Sequence, residues 1–593
     1  MANAITDNLK KLRNWLSESQ LDAFIVPHED EYLGEYLPEH NERLEWVSGF
    51  TGSAGAAIVT QDNAAIFVDG RYTVQVTKQT PAACFEYHHL IDEPYLDWLK
   101  EQLPSGAKIG FDPKMHRASW VNRAQEVLAP EYELHPVAAN PIDLLWENRP
   151  EPTLSDMVLM PDETSGKSSK DKRASIANLL KEKGADSAVL TQLDSIGWLL
   201  NIRGLDVARL PVILSHAIIY QSGDVDYFID ESRIADGFHE HVGTGVKICA
   251  PDSLTQALEA MNGKKVILDT SSSNAWFKLQ LQNNGVTIID IADPCTLPKA
   301  AKNRAELTGM KACHIRDGAA MAQFLCWLDG QVEKNSELDE ATLSDQLEAF
   351  RRQDPTLVDL SFDTISAAAT NAAMCHYNHI NQPKPGVLSL NSLYLVDSGG
   401  HYQDGTTDIT RTVAIGTPTD EMKTLFTLVL KGHIALASAK FPAGTSGHQL
   451  DALARQYLWA NGYDFDHGTG HGVGHCLSVH EGPQRISKAP NSVALLPGMV
   501  VSNEPGYYRE NEFGIRIENL ELVVDVETTG DKNMRGFEAL TRCPIDKRAI
   551  QKELLTGSEI TWLNQYHEQV WHDVSPLVEG DVKEWLRNAT STI

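Results

Sequence analysis

The feature that most limits how this chain can fold is an order of elements that occurs twice. Near the start, Leu9, Leu12, Trp15 and Leu16 recur at helical intervals, with Asn8, Lys10, Lys11 and Arg13 between them. A helix turns once every ~3.6 residues, so those four apolar side chains share one face. A short apolar run, Ala23-Phe24-Ile25-Val26, follows and stops at Pro27, which predicts a buried strand. A second such run, Ala64-Ala65-Ile66-Phe67-Val68, leads into Asp69-Gly70-Arg71. Further on, Ile176, Leu179 and Leu180 mark an amphipathic helix that leads to Ser187-Ala188-Val189-Leu190. Trp198 and Gly204 then stand where Trp46 and Gly49 stood, and Tyr227-Phe228-Ile229-Asp230 echoes Phe67-Val68-Asp69. The order predicts two diverged copies of one α/β domain, over residues 1–150 and 151–300. Two copies are too few for a solenoid.

The linkers fit this division. Pro130, Pro136, Pro141, Pro150 and Pro152 cluster at the end of the first copy. Pro294 and Pro298 precede the helical pattern of Leu307, Met310, Cys313 and His314. That leaves residues 301–593 for a third domain; at the usual ~100–200 residues per domain, a chain of 593 residues holds roughly three or four. The stretch from Asp162 to Arg173 is polar and predicts a loop. It holds Gly166-Lys167-Ser168, the ending of a phosphate-binding loop, but the required first glycine falls at Pro161, which excludes that motif.

Charge and cysteine usage narrow the function classes. The formal net charge of -30 argues against a nucleic-acid partner, which needs a basic face. The polar start, MANAITDNLKKLRNWL, lacks the apolar core of a signal peptide, and no apolar run approaches the ~20 residues of a membrane span. The eight cysteines are scattered without a CxxC pair, so they predict neither a disulfide framework nor a thiolate zinc site, and a cytoplasmic location follows.

The unusual residues collect in the C-terminal third. Tyr394-Leu395-Val396-Asp397 reads as an apolar strand ending in an acid, followed by Ser398-Gly399-Gly400. Asp408 lies eleven residues on, in Gly405-Thr406-Thr407-Asp408-Ile409-Thr410-Arg411, and the glycines between suit a reversal that brings both carboxylates together. Next, His467, His471, His475 and His480 fall within fourteen residues, the first three interleaved with Gly468, Gly470, Gly472 and Gly474. Glycine allows close approach, and neutral imidazole is the commonest protein ligand for a metal ion. The spacing is not the GxGxxG of a dinucleotide loop. Glu504 ends the run Met499-Val500-Val501-Ser502-Asn503, and Glu518 follows Gly514-Ile515-Arg516-Ile517. In a strand, Arg516 and Glu518 face away from Ile515 and Ile517, so the two polar groups share a site. Four carboxylates and one imidazole suit manganese, cobalt or zinc, and two divalent ions would offset the repulsion among the acids. Two metals about 3.5–4 Å apart supply a hydroxide at neutral pH and polarise a carbonyl.

Taken together, VDSGG with DGTTDITRT, HGTGHGVGH, VHEGP, NEPGYY and GIRIEN resemble the metallopeptidases of the pita-bread fold. The overall match is with the three-domain aminopeptidase P, or Xaa-Pro aminopeptidase, family. Residues 43–55 (RLEWVSGFTGSAG) and Asp69-Gly70-Arg71-Tyr72 are similar to that family's first domain, so the resemblance spans nearly the whole chain. It implies two creatinase-like N-terminal α/β domains before a C-terminal pita-bread catalytic domain. The implied activity is hydrolysis of the bond before a proline in second position, with release of the first residue. Asp408 and Glu518 would bridge two metals, manganese being usual; Asp397 would complete one, and His471 and Glu504 the other. His376 matches the histidine that assists at the scissile carbonyl. His467 and His480 match substrate-contacting histidines, and Tyr508 and Arg516 match positions that support the substrate site. His475 receives no role. A homodimer is implied as well.

A physical account stands beside these roles. His376 or His480 would donate to the developing oxyanion, and Glu504 would relay a proton to the leaving nitrogen. A prolidase, a creatinase-like hydrolase, or a non-catalytic binding module of the same fold are the alternatives. The duplicated N-terminal copy disfavours the first two, and five intact ligand positions disfavour the third.

Overall fold

A computed structural model describes residues 2–382 and 384–593. The chain divides into two compact units. One contains the chain up to Leu159 with Lys167–Ala208 and Val212–Cys295; the other contains Met160–Gly166, Arg209–Pro211 and Thr296–Ile593.

The first unit holds two six-stranded sheets. Strands β1 (Ala23–Pro27), β2 (Ala56–Thr60), β3 (Ala64–Val68), β4 (Glu86–His89), β5 (Lys108–Phe111) and β6 (Glu133–Pro136) lie in the order β4-β3-β2-β1-β5-β6. Strands β7 (Ser187–Leu190), β8 (His216–Tyr220), β9 (Val225–Phe228), β10 (Val246–Cys249), β11 (Lys265–Ile267) and β12 (Thr287–Ile289) lie in the order β10-β9-β8-β7-β11-β12. The second sheet is thus the first with every label advanced by six, and the strand directions agree as well. In each, one antiparallel trio is extended by parallel neighbours. The two copies are joined by reciprocal backbone bonds at helix starts outside the sheets: Ala118 N–H donates to Ser273 O at 2.9 Å, and Ala275 N–H to His116 O at 2.8 Å.

The apolar runs explain the layering. Phe24 and Val26 face one core with Ile5, Leu9, Leu12 and Leu16 of helix α1 (Ala2–Glu18). Ala23 and Ile25 face a second core with Leu99 and Leu128. A strand covered on both faces needs no alternation of apolar and polar residues. Two sequence expectations require correction. The left-handed end of helix α2 (Arg43–Ser48), at Gly49 with φ 77°, is matched in the second copy by Asn201 with φ 53°, not by Gly204. The stretch from Asp162 to Arg173 is not a loop: Asp162–Ser165 is helical, and Ser168 caps helix α3 (Ser169–Lys183) through Asp171 N–H. Lys172 and Arg173 are buried there because carbonyls satisfy them. Lys172 Nζ donates to Trp198 O, and Arg173 donates to Gly223 O and Val242 O.

The second unit is built on antiparallel strands. β13 (Ile365–Ala368), β14 (Ser392–Ser398) and β15 (Ile409–Ile415) form one sheet. A larger one comprises β16 (Phe441–Pro442), β17 (Gly470–Gly472), β18 (Glu481–Ile486), β19 (Val500–Asn503), β22 (Asn519–Val526) and β23 (Met534–Ala539), in the order β16-β23-β22-β19-β17-β18. Strands β20 (Gly506–Arg509) and β21 (Phe513–Arg516) form a hairpin. The 30-residue helix α4 (Arg304–Glu333) starts at Asn303 with a capping box closed by Glu306. Its Met321, Phe324 and Leu328 pack on Tyr394 and Val396 of β14 and on Ile409 and Val413 of β15. Leu393, Leu395 and Asp397 therefore point to the other face of β14.

Candidate metal centre

Four strand ends converge on this second face. Asp397 is paired across the sheet with Ile365 and Thr410, and Asp408 lies one residue before β15. The reversal between the two acids is real: β14 and β15 run antiparallel, with Ser398 opposite Ile409. Glu504 follows β19, and its N–H donates to Thr469 O at 2.9 Å. Glu518 follows β21; its N–H donates to Thr410 O, and its Oε2 accepts from Thr410 Oγ1 at 2.8 Å. His471 sits in β17. Gly470 and Gly472 are required there by the protein's own backbone, since a Cβ would lie 2.0 Å from Ser502 O at the first and 2.3 Å from Glu481 O at the second. The glycines around His471 thus let β17 fit between β18 and β19.

The donor atoms form overlapping triads. Asp397, Asp408 and Glu518 offer ligand atoms within 4.8 Å of one another, as do His471, Glu504 and Glu518, and Asp408, His471 and His480, through carboxylate oxygens and ring nitrogens. Glu518, Asp408 and His471 each belong to two of these sets. His471 Nδ1 donates to Gly472 O at 2.8 Å, so Nε2 is the nitrogen turned towards the acids. That nitrogen lies 3.5 Å from both Asp408 Oδ2 and Glu504 Oε1. Asp397, Asp408 and Glu518 are buried, whereas His471 and Glu504 are partly exposed.

These groups fit a pair of divalent cations. Asp397 Oδ1 is buried and finds no hydrogen-bond partner among the described residues. Burial, followed by the neighbouring acids, drives the Glu518 carboxyl well above its ordinary range. Burial pushes Glu504 up to about 7 despite the opposing pull of His471. Burial works against protonation of His471, but the Asp408 bond and the Glu504 charge outweigh it and raise the imidazole to about 9. Without cations, the cluster must hold protons to offset its own repulsion; with cations, those sites become lone pairs. The donor set is oxygen-rich with one imidazole, which suits hard or borderline ions.

The other predicted residues lie around this cluster. Arg516 Nη2 donates to Asp397 Oδ2 at 2.6 Å, Nη1 donates to Tyr508 Oη at 2.7 Å, and Tyr508 Oη lies 2.8 Å from His467 Nε2. His467 Nδ1 is bonded to Gly468 O, so the Tyr508 hydroxyl is the donor to Nε2. The chain His467–Tyr508–Arg516–Asp397 is thereby continuous. The His480 ring meets His471 edge-on, with centroids 4.5 Å apart. His376 follows Cys375, whose carbonyl accepts from Arg516 Nη1 at 3.3 Å. Buried His475 belongs to none of these triads.

Sequence reasoning gave no role to several residues that hold the site. Thr410 joins Glu518 to Arg516, accepting from Arg516 Nε at 3.1 Å. Arg411 is fully buried and spends its donors on the carbonyls of Thr410, Glu518, Cys543 and Pro544, and on Asn519 and Tyr566. Both lie in the DITRT stretch, where an arginine within a strand-like run was the available signal. Tyr566 comes from a distant helix and had none.

Comparison with known proteins agrees with this geometry. Residues 308–525 match metallopeptidase family M24, and residues 533–593 match the C-terminal region of that family. Residues 8–145 and 148–306 each match the creatinase/prolidase N-terminal domain. A protein of Laccaria bicolor named "Probable Xaa-Pro aminopeptidase P" is 41% identical, over 99% of this chain and 94% of its own length. The chain belongs to metallopeptidase family M24. It is a metal-dependent hydrolase with two creatinase-like α/β folds ahead of a pita-bread domain. A relative of the same name from Neosartorya fischeri is 39% identical, over 99% of this chain and 93% of that protein. Among solved structures, X-prolyl aminopeptidase from Caenorhabditis elegans, described as a cytosolic enzyme with a di-nuclear active site, matches with a TM-score of 0.95 at 33% identity. That match covers 99% of this chain and all of the other. A prolidase from Thermococcus sibiricus shares the fold over 64% of this M24 chain, with a TM-score of 0.51 at 21% identity.

Proposed function

We propose that this M24 chain is an aminopeptidase that hydrolyses the bond between the first residue of a peptide and a proline in second position. The observation that carries the reading is the set of overlapping donor triads that share Glu518 and Asp408. Full-length similarity to proteins named for Xaa-Pro cleavage supports the substrate class. Asp397, Asp408, His471, Glu504 and Glu518 would hold two divalent cations, manganese first, with cobalt or zinc able to use the same donors. Bound there, the cations would supply an activated water at neutral pH and polarise the scissile carbonyl.

The chain's own residues do the rest. His376 and His480 donate hydrogen bonds to the oxygen on which negative charge develops. Glu504 accepts a proton from the attacking water and passes it to the proline nitrogen as the C–N bond breaks. That nitrogen has no N–H before cleavage, and its ring fixes φ, so a rigid pocket selects it by shape. His467, Tyr508 and Arg516 line the substrate side, with Tyr508 fixing the His467 tautomer. The substrate amine binds near the acids and limits cleavage to the first bond. The working architecture is three domains, over residues 1–150, 151–300 and 301–593, in a cytoplasmic homodimer. The nematode relative is described as cytosolic, and no described helix is long and apolar enough to cross a membrane.

The test is hydrolysis by the manganese-loaded chain of three peptides: Xaa-Pro-Xaa, Xaa-Pro and Xaa-Ala-Xaa. Release of the first residue from the proline tripeptide, with the alanine tripeptide at least a hundredfold slower, is expected. Cleavage of the dipeptide alone would make it a prolidase. A monomeric mass in solution would refute the dimer.

A further inference from the structure

Glu340 opens helix α5 (Glu340–Arg351) and has no exposed surface. A carboxylate withdrawn from water is tolerated only where donors replace the water. Oε1 accepts from Ala368 N–H at 2.7 Å and from Asn371 Nδ2 at 2.9 Å. Oε2 accepts from Tyr377 Oη at 2.5 Å and from Gly386 N–H at 2.6 Å. The Glu340 N–H in turn donates to Gly386 O at 2.9 Å. Two of these donors, Asn371 and Tyr377, flank His376 along the chain.

The enclosed backbone would not hold this shape by itself. Ala369 has φ 47°, a left-handed conformation unfavourable for any residue with a Cβ. Gly386 is pressed against the carboxylate so closely that a Cβ would lie 2.8 Å from Glu340 Oε1. β21 also approaches this backbone, so closely that a Cβ on Gly514 would lie 1.8 Å from Ala372 O. His376 therefore hangs between two fixed neighbours. Cys375 is held through its carbonyl by Arg516, which also holds Asp397, and Tyr377 is held through its hydroxyl by Glu340.

We propose that Glu340 is a positioning residue for the hydrolysis: its buried carboxylate ties Ala368, Asn371, Tyr377 and Gly386 together and so fixes His376, the residue between Cys375 and Tyr377, in the place from which it would act. This inference rests on the reading of His376 as a donor to the scissile carbonyl. The carboxylate is needed because all four partners are donors, and a carboxylate offers only acceptors. A glutamine would set its NH2 group against at least one N–H, that of Gly386 even in the orientation where the Tyr377 hydroxyl turns to accept, and an aspartate is one methylene too short to reach all four.

The test is a double-mutant cycle on the metal-loaded full chain, with Glu340→Gln and His376→Ala measured singly and together on an Xaa-Pro-Xaa tripeptide. Glu340→Gln is expected to lower kcat 10- to 100-fold, with bound metal unchanged and KM within threefold. In the His376→Ala background the same change is expected to cost less than threefold, because the imidazole it positions is gone. An equal loss in both backgrounds, or a loss below twofold in the wild type, would overturn the proposal. Should Glu340→Gln not fold, Tyr377→Phe takes its place in the cycle with the same criteria at a smaller loss. A wild type that binds metal but cleaves no proline peptide would sink the functional reading instead. A wild type active on that peptide, whose His376→Ala variant keeps full activity, would sink the assignment of His376.

Discussion

The strand that follows His480 is anchored by Glu481, whose Oε2 accepts from Lys299 Nζ at 2.7 Å and whose Oε1 is bonded to Lys302 Nζ. All three side chains are almost completely buried. Glu481→Gln keeps the shape but removes the negative charge, leaving two ammonium groups facing a neutral amide. Breaking a buried ion pair by removing one partner costs about 3–5 kcal/mol. An independent ceiling comes from letting a lysine neutralise itself: from an ordinary pKa of ~10.4, that costs about 4–5 kcal/mol at pH 7. The two figures agree. The unit that contains Thr296–Ile593 is roughly 300 residues, so at ~2.1 cal/mol/K per residue its unfolding entropy is about 0.6 kcal/mol/K. The expected drop in Tm is therefore about 5–8 °C. Calorimetry on the full chain at pH 7 and again at pH 9.5 measures it. Neutralising a lysine becomes easier as pH rises, so the drop is expected to shrink by at least half at the higher pH. A drop below about 1 °C at pH 7, or an equal drop at both values, would refute the electrostatic argument.

Other expectations follow from single contacts. Gly470→Ala puts a methyl 2.0 Å from Ser502 O and displaces β17 and His471 with it; loss of metal binding, read by calorimetric titration, is expected. Tyr508→Phe removes the hydroxyl that joins Arg516 to His467; kcat/KM on a proline tripeptide should fall about tenfold, roughly 1.4 kcal/mol, with bound metal unchanged. His116 is buried, its Nδ1 held by Asp112 O and its Nε2 unbonded, and burial lowers its pKa to about 4. The unfolded chain takes up that proton near pH 6.5 while the folded one does not, so stability falls as pH drops from 6.5 towards 4, by about 3 kcal/mol in all. His116→Phe should flatten that part of the Tm-against-pH curve; an unchanged slope would remove His116 as its cause.

The sequence carried the site further than its supports. Asp397, Glu504 and Glu518 were legible because each lies at the end of an apolar run, and strand alternation correctly separated Arg516 and Glu518 from Ile515 and Ile517. The duplication was legible for the same reason, since each copy repeats the run, the turn and the acid. The buried charges were not legible. Lys172 and Arg173 read as solvated residues in a polar stretch, yet carbonyls tens of residues away satisfy them. Glu340 and Arg411 likewise depend on partners that only the fold assembles. Periodicity reports which face a residue occupies; it does not report whether that face meets water or distant donors and acceptors.

The central claim is that Asp397, Asp408, His471, Glu504 and Glu518 together hold two divalent cations that hydrolysis requires. The most direct measurement is the metal content of the dialysed wild type and of Asp408→Ala, each paired with its rate on an Xaa-Pro-Xaa tripeptide. About two ions per chain are expected in the wild type. At most one is expected in the variant, with activity lower by at least a thousandfold. An active wild type without bound metal, or an Asp408→Ala variant that keeps two ions and full activity, would contradict it.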